Sequence, residues 1–525
     1  MRRLAVLLSF CMGFLSLSQE IAWVRLVSFG HQGRPHGFAI VLVAFLLGIA
    51  AGALLGRRYC RKERRVLPDV AAILALAAVV DMGALRLAPF LMGQQATALL
   101  SLMLLIGSCA LLKGLLFPIV HHLGAAGTSE GVGRSVSRVY GANVLGSALG
   151  PAITGLVLLD HLTVEQVFAL VSLCTACLAL WVHGRQAGLA PLRRALPSML
   201  ALLLASANAV HPPRALELIA RQDGGELLHL IQNKHGVIHV MAGAGAGDSG
   251  GDITLGNNLY DGRLNVDMRN NSNRLDRVYL LATLHPRPSR VLVIGLSTGA
   301  WTQALAGMPG VERIDVVEIN PAYLELIRQY PAVSRILSDS RVHIHIDDGR
   351  RWLRRHEAER FDLVVMNTTF HWRAYISLLL SREFMQLVSS RMAPGGIFAF
   401  NTTASLDAFH TATAVFPSVG RYLNFAYASN QSLATLADAD HRLRACRLQE
   451  RAAFPADLFA PGAIGERLAR GPLEAAEQHI ASRPAEVITE LNMLTEYRHG
   501  MPPLAGLLKQ WLPPTPLDKP AGASR

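Results

Sequence analysis

As far as about residue 212 the chain runs in long apolar stretches of Leu, Ala, Val and Gly separated by short basic loops; beyond it, short apolar runs alternate with Arg, Asp, Glu and His. A helix needs about twenty apolar residues to cross a bilayer core. Seven stretches reach or approach that length, near 4–26, 37–56, 68–89, 96–118, 141–160, 165–182 and 196–211. The first opens Met-Arg-Arg but has no small-residue cleavage site before Glu20 and Arg25, so it is expected to persist as a helix rather than act as a secretory signal. From Arg290 the pattern changes to strands alternating with helices: RVLVIG and a helix through Ala306, RIDVVEI and a helix from Pro321, VHIHI and a helix from Gly349, FDLVVMN and a helix from about Tyr375, then GIFAFN. That alternation predicts a doubly wound, Rossmann-like parallel sheet. The fold expected overall is an N-terminal polytopic α-helical membrane domain followed by an α/β domain.

Composition agrees with this division. A hydrophobic fraction of 51% with 17% charged residues is high for a soluble enzyme. The net charge of +12 does not call for nucleic acid, because much of the basic excess sits in short loops beside apolar spans. The most basic loop, residues 57–65, belongs on the cytoplasmic side and places the N-terminus there too. Within the second span Gly48, Gly52 and Gly56 strip one helix face of side chains and predict close packing against a neighbour. Glu20, Asp81, Arg86 and Lys113 are costly in lipid and should face protein or reach the interface. The six cysteines show no disulfide framework, and the Cys174/Cys177 pair, inside a span, reads as packing rather than as a redox or metal site. No metal site is expected.

In doubly wound sheets ligands bind beyond the C-terminal ends of the strands. The first strand ends in Gly295-Leu296-Ser297-Thr298-Gly299, where glycines let the backbone approach a ligand. The second ends at Glu318, the position that takes ribose hydroxyls in such folds. The third is followed by Asp347-Asp348-Gly349, a carboxylate near the adenine. Each has a plainer reading: turn glycines, a surface acid, a helix N-cap at Asp348. Together, and without a full GxGxxG, they fit the nucleoside half of S-adenosylmethionine better than a dinucleotide.

Residues 227–403 resemble the spermidine synthase family of polyamine aminopropyltransferases, which have a methyltransferase-type sheet. Leu259-Tyr260-Asp261-Gly262 resembles that family's Leu-Asp-Gly turn, and Arg290–Gly299 its glycine loop. Glu318 and Asp348-Gly349 fall on its cofactor-binding acid and Asp-Gly, while Ser381-Arg382-Glu383-Phe384 and Ala393-Pro394-Gly395-Gly396 match later elements. The resemblance implies a small β region ahead of the sheet. The layout expected is 1–213 transmembrane with about seven helices, 214–288 small β region, 289–430 S-adenosyl-binding domain, 431–512 helical extension and 513–525 disordered tail. The resemblance also implies Gly295, Ser297, Thr298, Gly299, Glu318, Asp348 and Gly349 as the cofactor-binding residues. The donor would be S-adenosylmethionine or its decarboxylated form. A polyamine or other small-molecule amine would be the acceptor, with membrane lipid around the helices; a homodimer is left open.

Departures from the family pattern fall on the acceptor side. Thr298 stands where the family has an aspartate, Asn367-Thr368-Thr369 where it has Asp-Ser-Thr/Ser, and Tyr279-Leu280-Leu281 where it has Tyr-His-Glu. An amine with a pKa of about 10.4 is roughly three units from neutrality, so freeing its lone pair costs on the order of 4 kcal/mol. A carboxylate can take that proton; the Asn367 amide cannot. His371, in a His-Trp-Arg cluster, is the alternative base, so Asn367 and His371 are the candidate catalytic pair. Thr298, being neutral, would tolerate the methionine carboxylate, which opens methyl transfer as an alternative to aminopropyl transfer. A non-catalytic nucleoside-binding transporter or sensor, using buried charges such as Asp81 and Arg86, is the third reading. Seven spans from a cytoplasmic N-terminus would carry this site outside, away from cytosolic donor. The expectation is a bacterial inner-membrane protein with a cytoplasmic catalytic half, stretch 196–211 or another candidate failing to cross. At the C-terminus, Tyr422–Phe425 is expected as a late strand and Glu496 and Arg498 as structural residues.

Overall fold

In the first helices small residues decide how closely the backbones pack. The computed structural model describes all residues except 62–65, 93–95, 126–131, 186–191, 223, 244–249, 369, 481–483 and 500–525. Part of the basic loop, Thr369, the last residues of the 431–512 extension and the expected disordered tail therefore lie outside the described residues. Contacts divide the chain into one unit of residues 1–223 with 232–236 and another of 224–231 with 237–500. The expected boundary at 213 lies too early, because helix Ala215–Ala220 buries Leu216 and Ile219 within the first unit.

Among the described residues, six helices of the first unit are long and apolar enough to cross a membrane. They are α1 (Arg2–Gly30), α2 (His36–Cys60), α3 (Val66–Leu87), α4 (Ala96–Ala125), α5 (Val132–Ile153, continued through a π turn to His161) and α6 (Val164–Gly184). The seventh expected span is a shorter apolar helix, Ala195–Val210. α2 packs along α4, α1 along α5, and α3 along α6. A Cβ at Gly48, Gly52 or Gly56 would stand 2.3, 2.1 or 2.5 Å from the carbonyl oxygens of Gly107, Leu111 and Leu115, one helical turn apart. α5 repeats the device, unremarked in the sequence: Gly146 and Gly150 lie against the Phe10 and Phe14 carbonyls. Gly52→Ala is therefore expected to destabilise the unit by about 1–3 kcal/mol through overpacking, read as a lower midpoint of thermal denaturation in detergent; an unchanged midpoint would remove this close contact from the account.

Lys113 on α4 pairs with Asp81 on α3 at 2.9 Å and donates to Gln19 on α1. Arg86 donates to Asn208 of the shorter helix at 2.8 Å. Cys174 and Cys177 are exposed on α6, where their i, i+3 spacing puts both on one face. Leu46, Leu47 and Leu54 on α2 and Leu104 on α4 are likewise exposed, leaving an apolar outer surface.

The second unit opens with a four-stranded sheet, β1 (Leu227–Asn233), β2 (Gly236–Met241), β3 (Ile253–Gly256) and β4 (Leu259–Arg263), in sequence order. Seven strands then build the main sheet: β5 (Arg290–Ile294), β6 (Arg313–Glu318), β7 (Val342–Ile346), β8 (Phe361–Met366), β9 (Met392–Asn401), β10 (Ser418–Tyr422) and β11 (Phe425–Ser429). Their order is β10-β11-β9-β8-β5-β6-β7; β5 to β9 run parallel and β11 is antiparallel to β9. Alternation along each strand feeds two cores. Val291, Val293, Leu363 and Val365 enter one, while Leu292, Ile294, Val364 and Met366 enter the other.

Two expectations about the C-terminal part change. Tyr422–Phe425 is not one strand: Tyr422 ends β10, Phe425 begins β11, and Leu423-Asn424 form the tight turn between them, with Leu423 at φ +56°. The region after 430 is not only helical, since Glu474–Ala475 adds an edge strand beside β10. Glu496, fully buried, accepts from the Tyr375 and Ser377 amides at 3.0 Å each, capping the helix that follows the Asn367–Tyr375 segment. Arg498 pairs with Asp407 at 3.0 Å.

Candidate functional site

Where β5 ends, the chain turns through Gly295 (φ +88°) and Gly299 (φ +76°) into helix Ala300–Ala306. A side chain at Gly299 would also stand 2.6 Å from Ile336 Cδ1, so glycine is required twice over. Ser297 Oγ donates to the Asp261 carbonyl at 2.6 Å, and Gly262 lies so close that a Cβ there would be 3.2 Å from Thr298 Cγ2. The β4 turn and the glycine loop thus form one packed element. Asn273 completes it, taking the Arg263 amide on Oδ1, the Trp301 indole on its carbonyl and reaching Thr298 Oγ1 with Nδ2.

Glu318 closes the floor of the loop. Its carboxylate is buried at the end of β6 and accepts from the Leu296 amide and the Asn320 amide, each at 2.7 Å. Its pKa is raised to about 7: burial pushes it up, the amides of Asn320, Leu296 and Ser297 offset part of that rise, and the charge of Asp261 adds to it. The Tyr323 hydroxyl donates to Asp261; burial first, then Asp261 and Glu318, drive that phenol's pKa upward.

Asp348 caps helix Gly349–Arg355, accepting from the Arg351 amide at 2.8 Å. The plainer reading of this residue is thus observed. Gly349 permits close approach, since a Cβ would lie 2.7 Å from Ile294 Cγ2.

Beside the loop is a cavity of about 330 Å³, lined among others by Asp261, Asn273, Arg274, Arg277, Asn367 and Asn401. The structure thus brings Asn367 to a cavity, whereas His371 does not line it, although its neighbour Phe370 does. The chain turns at Phe370 (φ +63°), whose amide is held by Thr403 Oγ1 at 2.9 Å. Asn367 is itself constrained. Asn401 Oδ1 accepts from the Thr403 amide (2.8 Å) and from Asn424 Nδ2 (2.9 Å), so Asn401 presents its Nδ2 to Asn367 Oδ1 at 3.0 Å. The Asn367 amide nitrogen makes no hydrogen bond among the described residues, and its chemistry there is that of a donor.

Asp261, Asn273, Arg274, Arg277 and Asn401 were not singled out as site residues from sequence. Only Asp261 carried a signal, its place in the Leu-Tyr-Asp-Gly turn; the others enter through loops that tertiary contacts bring together. A larger cleft of about 700 Å³ lies near the strand beginnings, lined by Gln303, Arg335, Asp339, Arg341 and Arg447, and includes none of the glycine-loop residues.

Comparison with known proteins matches residues 278–424 to the spermine/spermidine synthase domain. The polyamine aminopropyltransferase of Mycobacterium tuberculosis is 26% identical over 416 residues, 73% of each chain. That of Agathobacter rectalis is 38% identical over 87 residues, 16% of this chain and 30% of the relative. Among solved structures, spermidine synthase from Thermotoga maritima is 17% identical, covering 49% of this chain and 88% of its own, with a TM-score of 0.38.

Proposed function

We propose that this chain, whose C-terminal half is a spermidine synthase-like domain of the transferase class, is a membrane-anchored enzyme that moves a carbon group from an S-adenosyl donor to an amine. The observation that carries the reading is Glu318, a buried carboxylate fastened to the glycine-loop amide of Leu296 at the strand end, with lone pairs left over for ribose hydroxyls. In this reading Gly295, Ser297, Thr298 and Gly299 cradle the donor, and Asp348 and Gly349 border the adenine. The amine lone pair attacks the carbon bonded to the sulfonium, a C–N bond forms, the C–S bond breaks with its electron pair left on sulfur, and the amine proton departs to a base. Asn367 cannot be that base. Asp261, a carboxylate lining the same cavity, is the proton acceptor in place of the Asn367 and His371 pair.

Polyamine aminopropyl transfer is the activity that the relatives' name gives, and in this reading the decarboxylated form is its donor. A second reading, methyl transfer from intact S-adenosylmethionine, is favoured by Thr298, whose neutral hydroxyl is bonded by Asn273. In either reading the six helices long and apolar enough to cross a membrane, with the basic loop after α2 assigned to the cytoplasm, support a cytoplasmic second unit at a bacterial inner membrane, where donor is made. Incubating purified protein with each donor and a cell extract is expected to yield a product heavier by one aminopropyl or one methyl unit. Mass spectrometry reads the result, and turnover of neither donor would reject both readings.

A further inference from the structure

We propose that the cavity beside Asn367 is a carboxylate site, in which Arg274 and Arg277 hold the acid group of an α-amino acid moiety rather than of a polyamine-like cation. The inference rests on the transferase reading above and narrows what that site takes.

The lining carries two guanidinium groups against one carboxylate, Asp261. Neither Arg274 nor Arg277 forms an ion pair or a side-chain hydrogen bond among the described residues. Arg277 is half-buried, its guanidinium stacked 5.4 Å over the Phe425 ring, and its Nε is buried without a partner. The nearest acid in sequence, Asp276, is already engaged by Asn271 Nδ2 and the Tyr422 hydroxyl, each at 2.8 Å, so its charge offsets Arg277 without satisfying its donors. Burial and the charge of Arg274 both lower the Arg277 pKa, a cost that a bound anion would relieve.

The Asn367 amide points to the same ligand class. A backbone N–H can only donate, so the Thr403 amide fixes the orientation of Asn401, and Asn401 in turn leaves Asn367 a free NH₂. A polycation here would meet two guanidiniums and a donor amide. A carboxylate would meet matching donors, bidentate at an arginine, while Asp261, which lines the same cavity, is the acid facing the ammonium end. The acid has two sources, the methionine tail of an intact donor or an amino acid acceptor, and the same residues would serve either.

Calorimetry on the full chain in detergent separates them, using S-adenosylmethionine, its decarboxylated form and methylthioadenosine as probes. If the acid is the donor's, the intact donor binds at least tenfold tighter than the decarboxylated one. Arg277→Gln and Arg274→Gln then each cancel most of that difference, Arg277→Lys restores part of it, and methylthioadenosine affinity stays constant as a control on folding. If the acid is the acceptor's, the two donors bind alike, and turnover favours amines bearing a carboxylate over putrescine by at least tenfold, a preference lost in Arg277→Gln. Equal donor affinities together with putrescine as the better acceptor would overturn the proposal while leaving the transferase reading intact. Failure of methylthioadenosine to bind at all would instead reject the nucleoside site on which both rest.

Discussion

Replacing Glu318 by Gln is expected to weaken donor binding about a hundredfold or more, the loss of charge-assisted hydrogen bonds worth about 1.5–3 kcal/mol each. The amide also brings an NH₂ against the Leu296 or Asn320 amide, two donors facing one another where the carboxylate accepts both. The raised pKa adds a pH signature. Folded Glu318 holds its proton up to about 7, against 4.5 for the ordinary group, so between those values the folded chain binds more protons than the unfolded one. Stability from this group is therefore greatest below pH 4.5, falls as pH rises towards 7 and is level above it, by at most about 3 kcal/mol. Donor affinity should move the opposite way, rising through pH 7 as the carboxylate ionises. Thermal denaturation and donor titration across pH 5 to pH 8 in both forms check this. A Glu318→Gln chain with unimpaired donor affinity would show that Glu318 is not the ribose-binding group, and a stability difference between wild type and Glu318→Gln that climbs over the window would show that its pKa is not raised.

The second large effect belongs to the helical unit. Lys113→Met should cost about 3–5 kcal/mol, because it leaves Asp81, fully buried and with one oxygen already lacking a partner, as an uncompensated charge among apolar helices. Lys113→Met combined with Asp81→Leu removes both charges and should recover most of that loss, since an apolar pair of similar volume replaces a buried ion pair at little or no cost. Thermal midpoints in detergent for the two single variants and the double one form the cycle. Purely additive losses would mean that the 2.9 Å contact contributes no coupling.

Local pattern made much of this fold readable. Apolar runs of membrane length identified the six long helices, and short apolar strands alternating with helices and read as ending at Gly295, Glu318 and Asn367 located the parallel sheet with its strand ends. The turn at Leu423 escaped because it contains no glycine, and a hairpin built on Leu-Asn reads as continuous strand. The Asp348 cap shows the opposite limit. One carboxylate after a strand is compatible with a ligand and with a helix N-terminus, and only the position of the Arg351 amide distinguishes them.

The sequence alone determined that a glycine loop and an acid stand at the ends of two strands of one parallel sheet, because strand direction and spacing place them there; that the acid is buried was decided by the structure. The sequence also determined that the usual acids around the acceptor are missing. What stands in their place was decided by tertiary structure. Asp261 comes from β4 of the small sheet, Arg274 and Arg277 from the segment leading into β5, Asn401 from the end of β9 and Asn424 from the turn between β10 and β11. No local period connects these residues, and the orientation of Asn367 depends on a chain of hydrogen bonds that runs back to the Thr403 amide. The same holds between the first helices, where hydropathy located Lys113 and Asp81 but only helix packing could bring them within 2.9 Å.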